Sequence, residues 1–216
     1  MRTQRPGQLR LYGFLTVGLI LALLVLAACG TSSLKKPWEE PFNEEGSWQL
    51  SSDAAAEVAI AEGQLQIHIL QPGQIAWATT GRTFSDFHLR VEATQLAGPV
   101  DNEYGVLVRL EDDTHFYAFS ISGDGYARVA HYAAGVWTVL GSDWTPQAAV
   151  HQGAATNVLE VEARGTQFTF WVNGEQVAQI TDETLPDGDV GLYAGAFDEA
   201  GVQIAFDNLL MSSVVK

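Results

Sequence analysis

Two carboxylates that could perform acid and base chemistry, Glu160 and Glu162, stand two residues apart in the sequence. The stretch around them alternates apolar and polar residues, and in an extended strand residues two apart share a face. A glycosidase uses such a pair at a separation of about 5 Å, or at a wider one that admits a water molecule. The pair is a weak catalytic candidate, because alternating strands often carry outward carboxylates on an ordinary solvated face.

A second group of candidate residues combines arginine with aromatic side chains, and consists of Arg109, Phe116, Tyr126, Arg128, Tyr132 and Trp137. Aromatic rings stack on the apolar faces of sugar rings, while guanidinium and hydroxyl groups bond to sugar hydroxyls. These residue types together are therefore typical of a carbohydrate-binding surface. The alternative is that the arginines form ion pairs with Glu103 or Glu111, while the aromatic rings only cover the sheet.

Hairpin register places most of this second group on one face of a sheet. Reading Asp112-Asp113 as a two-residue loop pairs apolar residues on a core face: Val108 with Tyr117, Val106 with Phe119, and Tyr104 with Ile121. The opposite face then carries Arg109 beside Phe116. A three-residue loop at Gly123-Asp124-Gly125 adds Tyr126, Arg128 and Tyr132 to that outer face. Trp137 follows across a loop of uncertain length and fits either the core or the outer face.

The elements that must position these residues are strands, because apolar and polar residues alternate and no stretch after Cys29 sustains a helical period. Twelve strands are predicted, at 64–70, 75–79, 84–96, 103–111, 114–122, 125–132, 136–141, 157–163, 167–172, 176–180, 190–197 and 202–211. Asn173-Gly174 is the strongest turn signal, because both central residues of a type I′ turn need positive φ. The spacing predicts an all-β sandwich or barrel.

The hairpin around Arg164-Gly165 is read by the same logic. Its predicted core residues are Leu159, Val161, Phe168 and Phe170. Glu160, Glu162 and Trp171 are predicted on its outer face. A tryptophan on an outer face either is covered by a loop or marks a contact surface.

The first residues have the layout of a secretory signal, with three arginines followed by an apolar run from Leu11 to Leu26 and small residues. Leu26-Ala27-Ala28-Cys29 resembles the lipobox of bacterial lipoproteins, in which the cysteine takes a diacylglycerol and becomes the new N-terminus. The resemblance implies a signal peptide over 1–28, lipidation of Cys29 and anchoring to a membrane outside the cytoplasm. The alternative is an uncleaved anchor helix, since about 18 apolar residues nearly cross a bilayer.

Composition excludes several classes of function. Residues 1–28 contain three of the 11 basic residues and none of the 26 acidic ones, so the remainder has eight basic residues and a formal charge near −18. Such a surface repels phosphate backbones, and a nucleic-acid partner is not expected. Cys29 is the only cysteine, which leaves the domain without a disulfide or a thiol nucleophile. The five histidines show no metal-ligand spacing.

Six further segments share the order of strands and turns of one family: Tyr104–Arg109, His115–Gly125, Asn157–Val161, Val172–Gly174, Gly188–Tyr193 and Ile204–Asn208. They resemble the concanavalin A-like, laminin G-like jelly rolls of bacterial envelope proteins, including those related to 3-keto-disaccharide hydrolases. The resemblance implies an all-β jelly-roll sandwich of two antiparallel sheets over 42–213, after a flexible tether over 29–41. In such folds the concave outer face often binds glycans, so the arginine and aromatic group is assigned to that face.

The resemblance also bears on catalysis and metal binding. The glucanase branch of this superfamily has a Glu-x-Asp-x-x-Glu pattern, whereas the chain from Glu160 reads Glu-Val-Glu-Ala-Arg-Gly and lacks the last acid. Such jelly rolls often hold a structural calcium where the first strand meets the last, and Asn43 and Asp207 supply suitable oxygen ligands there. Pro41 before Phe42 departs from the acidic start expected of that motif.

The leading hypothesis is a membrane-anchored lipoprotein outside the cytoplasm whose jelly-roll domain binds a glycan without catalysis. One alternative is a glycoside hydrolase-like enzyme that uses Glu160 and Glu162. Another is a structural or adhesive envelope module that binds protein.

Overall fold

A computed structural model of the protein describes residues 36–44 and 46–214, so the predicted signal peptide and Cys29 lie outside the described residues. The described part forms sixteen strands and no helix. They are β1 (Trp38–Glu40), β2 (Gln49–Leu50), β3 (Ala56–Ala61), β4 (Gln64–Ile69), β5 (Ile75–Thr79), β6 (Phe87–Ala97), β7 (Asn102–Asp112), β8 (His115–Ile121), β9 (Tyr126–Ala133), β10 (Val136–Val139), β11 (Thr145–Pro146), β12 (Thr156–Arg164), β13 (Gln167–Val172), β14 (Glu175–Thr181), β15 (Asp189–Ala196) and β16 (Val202–Ser212). Accordingly, nothing in 36–44 or 46–214 is a helix able to span a membrane.

The strands form two eight-stranded antiparallel sheets. Sheet I has the order β14-β13-β12-β6-β16-β4-β3, with β1 also paired to β16. Sheet II has the order β10-β9-β8-β7-β15-β5-β2, with β11 also paired to β9. The chain changes sheets from β4 to β5, from β5 to β6 and from β6 to β7, so neighbouring strands in sequence often lie in opposite layers. The predicted all-β jelly-roll sandwich of two antiparallel sheets is confirmed.

Aromatic side chains of β8 in sheet II pack against those of β13 in sheet I. The ring centroids of Phe119 and Phe170 are 4.7 Å apart, and those of Tyr117 and Phe168 are 5.1 Å apart. All four side chains are fully buried. Burial of each such ring contributes about 1.5–3 kcal/mol, so this contact between layers is a main source of stability.

The predicted hairpin registers are confirmed over most of their length. Val106 pairs with Phe119, and Ser120 pairs with Arg128, as predicted. The first turn lies at Asp113-Thr114 rather than at Asp112-Asp113, because Asp112 pairs with His115, and a register shift after Val108 makes up the difference. The turn between β13 and β14 has φ of 52° at Asn173 and 81° at Gly174, which agrees with the type I′ turn predicted there.

All twelve predicted strands are present, but four other strands were not predicted. Three of these, β1, β2 and β11, have only two or three residues, too few to show alternation. The fourth, β3, reads Ala-Glu-Val-Ala-Ile-Ala, and its alanines weaken the alternating pattern. Since β1 falls within the range 29–41 assigned to the tether and pairs with β16, the sheet begins earlier than the sequence pattern indicates.

Replacing Phe170 with alanine removes one ring of the contact between the two sheets. We expect the free energy of unfolding to fall by about 3–5 kcal/mol, because transfer energy is lost and a cavity remains. Urea denaturation followed by tryptophan fluorescence measures this change. Val136→Ala is the control, because Val136 is 62% exposed and its truncation should change stability little. Equal losses in both variants would contradict the assignment of Phe170 to the core.

Candidate functional site

Alternate residues of β7, β8, β9 and β15 bring polar side chains together on the outer face of sheet II. Arg128 pairs across the strands with Ser120, Ser120 with Gly105, and Gly105 with Tyr193. Glu103 lies on the same face of β7, two residues before Gly105. We call Glu103, Ser120, Arg128 and Tyr193 the polar cluster.

The members of the polar cluster bond to one another beneath the surface. Arg128 Nη2 lies 3.0 Å from Glu103 Oε2, and the Tyr193 hydroxyl donates to the same oxygen at 3.3 Å. Ser120 Oγ is hydrogen-bonded to the Tyr193 hydroxyl. The Arg128 and Glu103 side chains are only 14% and 7% exposed, so their charges are largely removed from water.

This burial changes the acid strength of two members of the cluster. Burial raises the pKa of the Glu103 carboxyl above its ordinary value, although the positive charge of Arg128 opposes the shift. Burial also raises the pKa of Tyr193 well above its ordinary value, and the neighbouring Glu103 carboxylate adds to the rise. Tyr193 therefore remains a neutral hydroxyl that can donate to Glu103.

Gly195 provides the space that the Glu103 side chain occupies. A Cβ at position 195 would lie 2.8 Å from Glu103 Cγ and 2.8 Å from a methyl carbon of Ile75. Both distances are shorter than real Cβ contacts, so a larger residue would displace Glu103 or its neighbour. The glycine in β15 is thus part of the site although it contributes no chemical group.

Two tryptophans hold the Arg128 guanidinium in place. Its Cζ atom lies 4.7 Å from the ring centroid of Trp144 and 5.5 Å from that of Trp137. Both distances are within the range of a cation–π interaction. Trp137 therefore belongs to the outer face rather than to the core, which decides between the two positions that the sequence left open.

A cavity of about 170 Å³ lies next to the polar cluster. We call it the aromatic cavity, and its lining consists of Asp101, Ser122, Asp124, Tyr126, Trp144 and Phe197. The ring centroids of Trp144 and Phe197 are 5.9 Å apart with an interplanar angle of 80°. Aromatic walls with hydroxyl and carboxylate groups beside them suit a ring-shaped ligand that carries hydroxyl groups.

Farther along the same face, Phe116 lies beneath other aromatic rings. Its ring centroid is 5.1 Å from that of Tyr132, 5.7 Å from that of Trp137 and 6.1 Å from that of Trp77. Phe116 is fully buried, whereas the other three side chains are partly exposed. Phe116 and Tyr132 thus lie on the predicted face, but Phe116 supports its neighbours and has no exposed ring for a ligand.

The prediction that Arg109 lies on this outer face is wrong. The pairing of β7 with both neighbours shifts at this position, and Arg109 has φ of 54°, so it forms a β-bulge. Its side chain is 0% exposed and donates to the carbonyl oxygens of Pro186 and Gly165. Its Cζ lies 5.4 Å from the centroid of the core residue Phe168. Arg109 therefore joins loops at the end of the sandwich.

Glu160 and Glu162 lie on the outer face of sheet I, as the register predicts. Glu160 Oε2 is 3.3 Å from His88 Nε2, and Glu162 Oε1 is 3.4 Å from Arg164 Nη2. Trp171 pairs with Glu160 across the strands. Each carboxylate thus lies beside a basic group, on the sheet opposite to the one that carries the aromatic cavity.

Asn43 and Asp207 are the residues predicted as calcium ligands. Asn43 is in the loop after β1, and Asp207 lies in β16 opposite Glu92, where it accepts a hydrogen bond from the Asn208 amide. Across residues 36–44 and 46–214, no group of three or more His, Cys, Asp or Glu side chains could hold a metal ion. The calcium site at Asn43 and Asp207 stays a prediction from the resemblance.

Three residues of the outer-face site, Glu103, Tyr193 and Trp144, are not among the binding residues predicted from the sequence. Glu103 was considered only as an ion-pair partner, and its pairing with Arg128 agrees with that alternative. Tyr193 has a usable signal, since it stands between Gly191 and Gly195 at two-residue spacing, which indicates an outer face with space around one ring. Trp144 lies between two short strands, and no pattern indicates its position.

The two antiparallel sheets define a jelly-roll domain. Residues 32–210 match the model of the 3-keto-alpha-glucoside-1,2-lyase-like domain, and the chain belongs to this family. No curated protein matches the chain.

Solved structures support the fold assignment. The carbohydrate binding module CBM66 from Bacillus subtilis has a TM-score of 0.63 at 16% identity, covering 77% of this chain and 96% of the module. The Bacillus licheniformis beta-glucanase has a TM-score of 0.61 at 14% identity, covering 86% of this chain and 100% of the glucanase. A galectin-like protein from Bacillus subtilis has a TM-score of 0.60 at 11% identity, covering 83% of this chain and 96% of that protein. At these identities the likeness concerns the fold alone.

Replacing Glu103 with glutamine should change how stability depends on pH. Because burial raises the Glu103 pKa above its ordinary value of 4.5, the folded protein binds this proton more tightly than the unfolded chain. The contribution of Glu103 to stability is therefore fully present below the pKa that its carboxyl has in the unfolded chain. It is lost as pH rises through the pKa of this carboxyl in the folded protein. We expect the stability of Glu103→Gln relative to wild type to rise with pH across that window, as measured by urea unfolding.

Glu111→Gln is the control for this measurement, because Glu111 is exposed on the same strand. Its stability relative to wild type should show no such rise. A difference between Glu103→Gln and wild type that stays constant with pH would contradict the raised pKa.

Proposed function

We propose that the protein is a lipoprotein, held outside the cytoplasm by lipid on Cys29, whose jelly-roll domain binds a carbohydrate without catalysis. The observation that carries the binding proposal is the aromatic cavity, in which Tyr126, Trp144 and Phe197 stand beside the Ser122 hydroxyl. Rings of this kind stack on the apolar face of a sugar, and polar groups at their edges bond to its hydroxyls.

The polar cluster supports this proposal by holding one wall of the cavity. Trp144 contacts Arg128, and Arg128 is itself fixed by its ion pair with Glu103. A ring held in its binding position before the ligand arrives loses less conformational freedom on binding. The structural similarity to a carbohydrate binding module is consistent with such a role.

The absence of catalysis is inferred from how the carboxylates are engaged. Glu160 and Glu162 are paired with His88 and Arg164 on the other sheet. Glu103 directs one oxygen to both Arg128 and Tyr193 and is almost fully buried. A catalytic acid must reach the glycosidic oxygen of the substrate, and these contacts favour a supporting role for Glu103.

One observation favours an enzyme as the second candidate. Glu103 belongs to the polar cluster next to the aromatic cavity, and burial raises its pKa, which is the direction that a general acid requires. The family name refers to cleavage of 3-keto-alpha-glucosides. Incubation of the protein with such a glucoside, followed by chromatography of the products, tests this candidate. Product formation that is lost in Glu103→Gln would establish it in place of the non-catalytic proposal.

Replacing Trp144 with alanine should weaken carbohydrate binding by about two- to tenfold, since stacking on one aromatic ring is worth about 0.5–1.5 kcal/mol. Tyr126→Ala should also weaken binding, because it removes a second ring of the cavity. A glycan array identifies the ligand, and titration calorimetry then measures the affinity of each variant.

Trp171→Ala is the matched control, because Trp171 is a partly buried tryptophan on the outer face of sheet I. It should leave carbohydrate binding unchanged. Binding that survives Trp144→Ala and is lost in Trp171→Ala would move the site to sheet I and overturn the proposal.

The anchoring proposal is supported by the Leu26-Ala27-Ala28-Cys29 segment and the charged and apolar segments before it. Cys29→Ala should abolish incorporation of a labelled fatty acid when the protein is expressed in a bacterium, because no thiol remains to accept lipid. Ser32→Ala is the control, since it changes the neighbouring segment but keeps the thiol. Labelling of the Cys29→Ala protein would contradict lipidation at this residue.

A further inference from the structure

The aromatic cavity is acidic as well as aromatic. Asp101 and Asp124 contribute carboxylates to its lining, and no basic residue is among the lining residues described above. Asp124 accepts a hydrogen bond from the Ser122 hydroxyl, while Asp101 is exposed. The nearby guanidinium of Arg128 is already paired with Glu103. A ligand in the cavity therefore meets uncompensated negative charge.

We propose that the cavity selects a sugar that carries a protonated amine, such as a 2-amino-2-deoxyhexose unit. This inference rests on the proposed carbohydrate-binding function and names the class of sugar. A cation near the faces of aromatic rings is attracted by their negative faces, and Tyr126, Trp144 and Phe197 provide three rings. The Asp101 and Asp124 carboxylates add a direct charge attraction, whereas a uronic acid would be repelled.

The polar groups of the cavity favour an amino sugar over the amine of a lysine side chain. The Tyr126 hydroxyl is a neutral partner that a lysine stem, which is apolar, would leave unused. The Ser122 hydroxyl is already hydrogen-bonded to Asp124. A sugar ring carries several hydroxyls and also has an apolar face for stacking. The lining thus matches a ligand that is cationic, cyclic and rich in hydroxyls.

Titration calorimetry with the full-length protein tests the inference. The probes are three tetrasaccharides of equal length: a glucosamine tetramer, its fully N-acetylated form and cellotetraose. We expect the glucosamine tetramer to bind about tenfold more tightly than the other two probes. The gain comes from one cation–π contact of its ammonium group with an aromatic ring and from one partly exposed charge pair with a carboxylate. Added salt should reduce this preference, because the carboxylates are near the surface.

The double variant Asp101→Asn/Asp124→Asn removes both charges and nearly preserves side-chain shape. Its ratio of affinities for the glucosamine tetramer and cellotetraose should fall below the wild-type value of about ten but stay above one, since the charge attraction is removed while the cation–π contact remains. The matched control is Glu175→Gln/Glu183→Gln, which removes two exposed carboxylates outside the cavity. That control should keep the ratio of the wild type.

The outcomes separate this inference from the proposed function. Equal or tighter binding of cellotetraose overturns amine selection but leaves carbohydrate binding in place. A lysine-containing peptide that binds as tightly as the glucosamine tetramer overturns the assignment to a sugar. If no glycan binds, either on the array or in titration, the proposed function itself is overturned.

Discussion

The outer face of sheet II depends on the ion pair between Arg128 and Glu103. Removing two charges from water costs several kcal/mol per ion, about as much as their attraction returns, unless further contacts satisfy them. Here Tyr193 donates to the same Glu103 oxygen, and Trp137 and Trp144 lie against the guanidinium. Loss of either partner would leave a largely buried charge alone. The pair therefore specifies the position of Trp144, which is a wall of the aromatic cavity.

The bulge at Arg109 determines which residues share that face. One extra residue in β7 turns the arginine inward to the carbonyls of Pro186 and Gly165 and puts Leu110 in the aromatic cluster around Phe116. With regular alternation, the guanidinium would lie beside Phe116 and its rings instead. The bulge thus keeps the region around Phe116 apolar, and Tyr193 joins this region to the polar cluster on the same sheet face.

The sequence predicts the face on which Arg128 lies, but it does not predict the bulge at Arg109. Pairings such as Ser120 with Arg128 follow from two-residue alternation and turn length, so the strands, the sandwich and the face of Arg128 are predictable. The positive φ of Arg109 has no sequence signature. It moves the residues that follow in β7 to the face opposite to the one that regular alternation predicts, until regular pairing resumes. Trp144 reaches Arg128 only through tertiary packing of an irregular segment, which local periodicity does not report.

The two outer faces of the sandwich show why fold likeness does not supply a function. Sheet I carries charged side chains paired within the sheet, such as Glu160 with His88, whereas sheet II combines aromatic rings with a buried ion pair. The aromatic cavity, at about 170 Å³, has room for only a small part of a polymer, so the affinity of each site for the proposed glycan is expected to be modest. If Cys29 carries lipid and the cavity binds carbohydrate, both as proposed, many copies share one membrane surface and engage successive units of one glycan. Binding then becomes strong through effective concentration rather than through a deeper site.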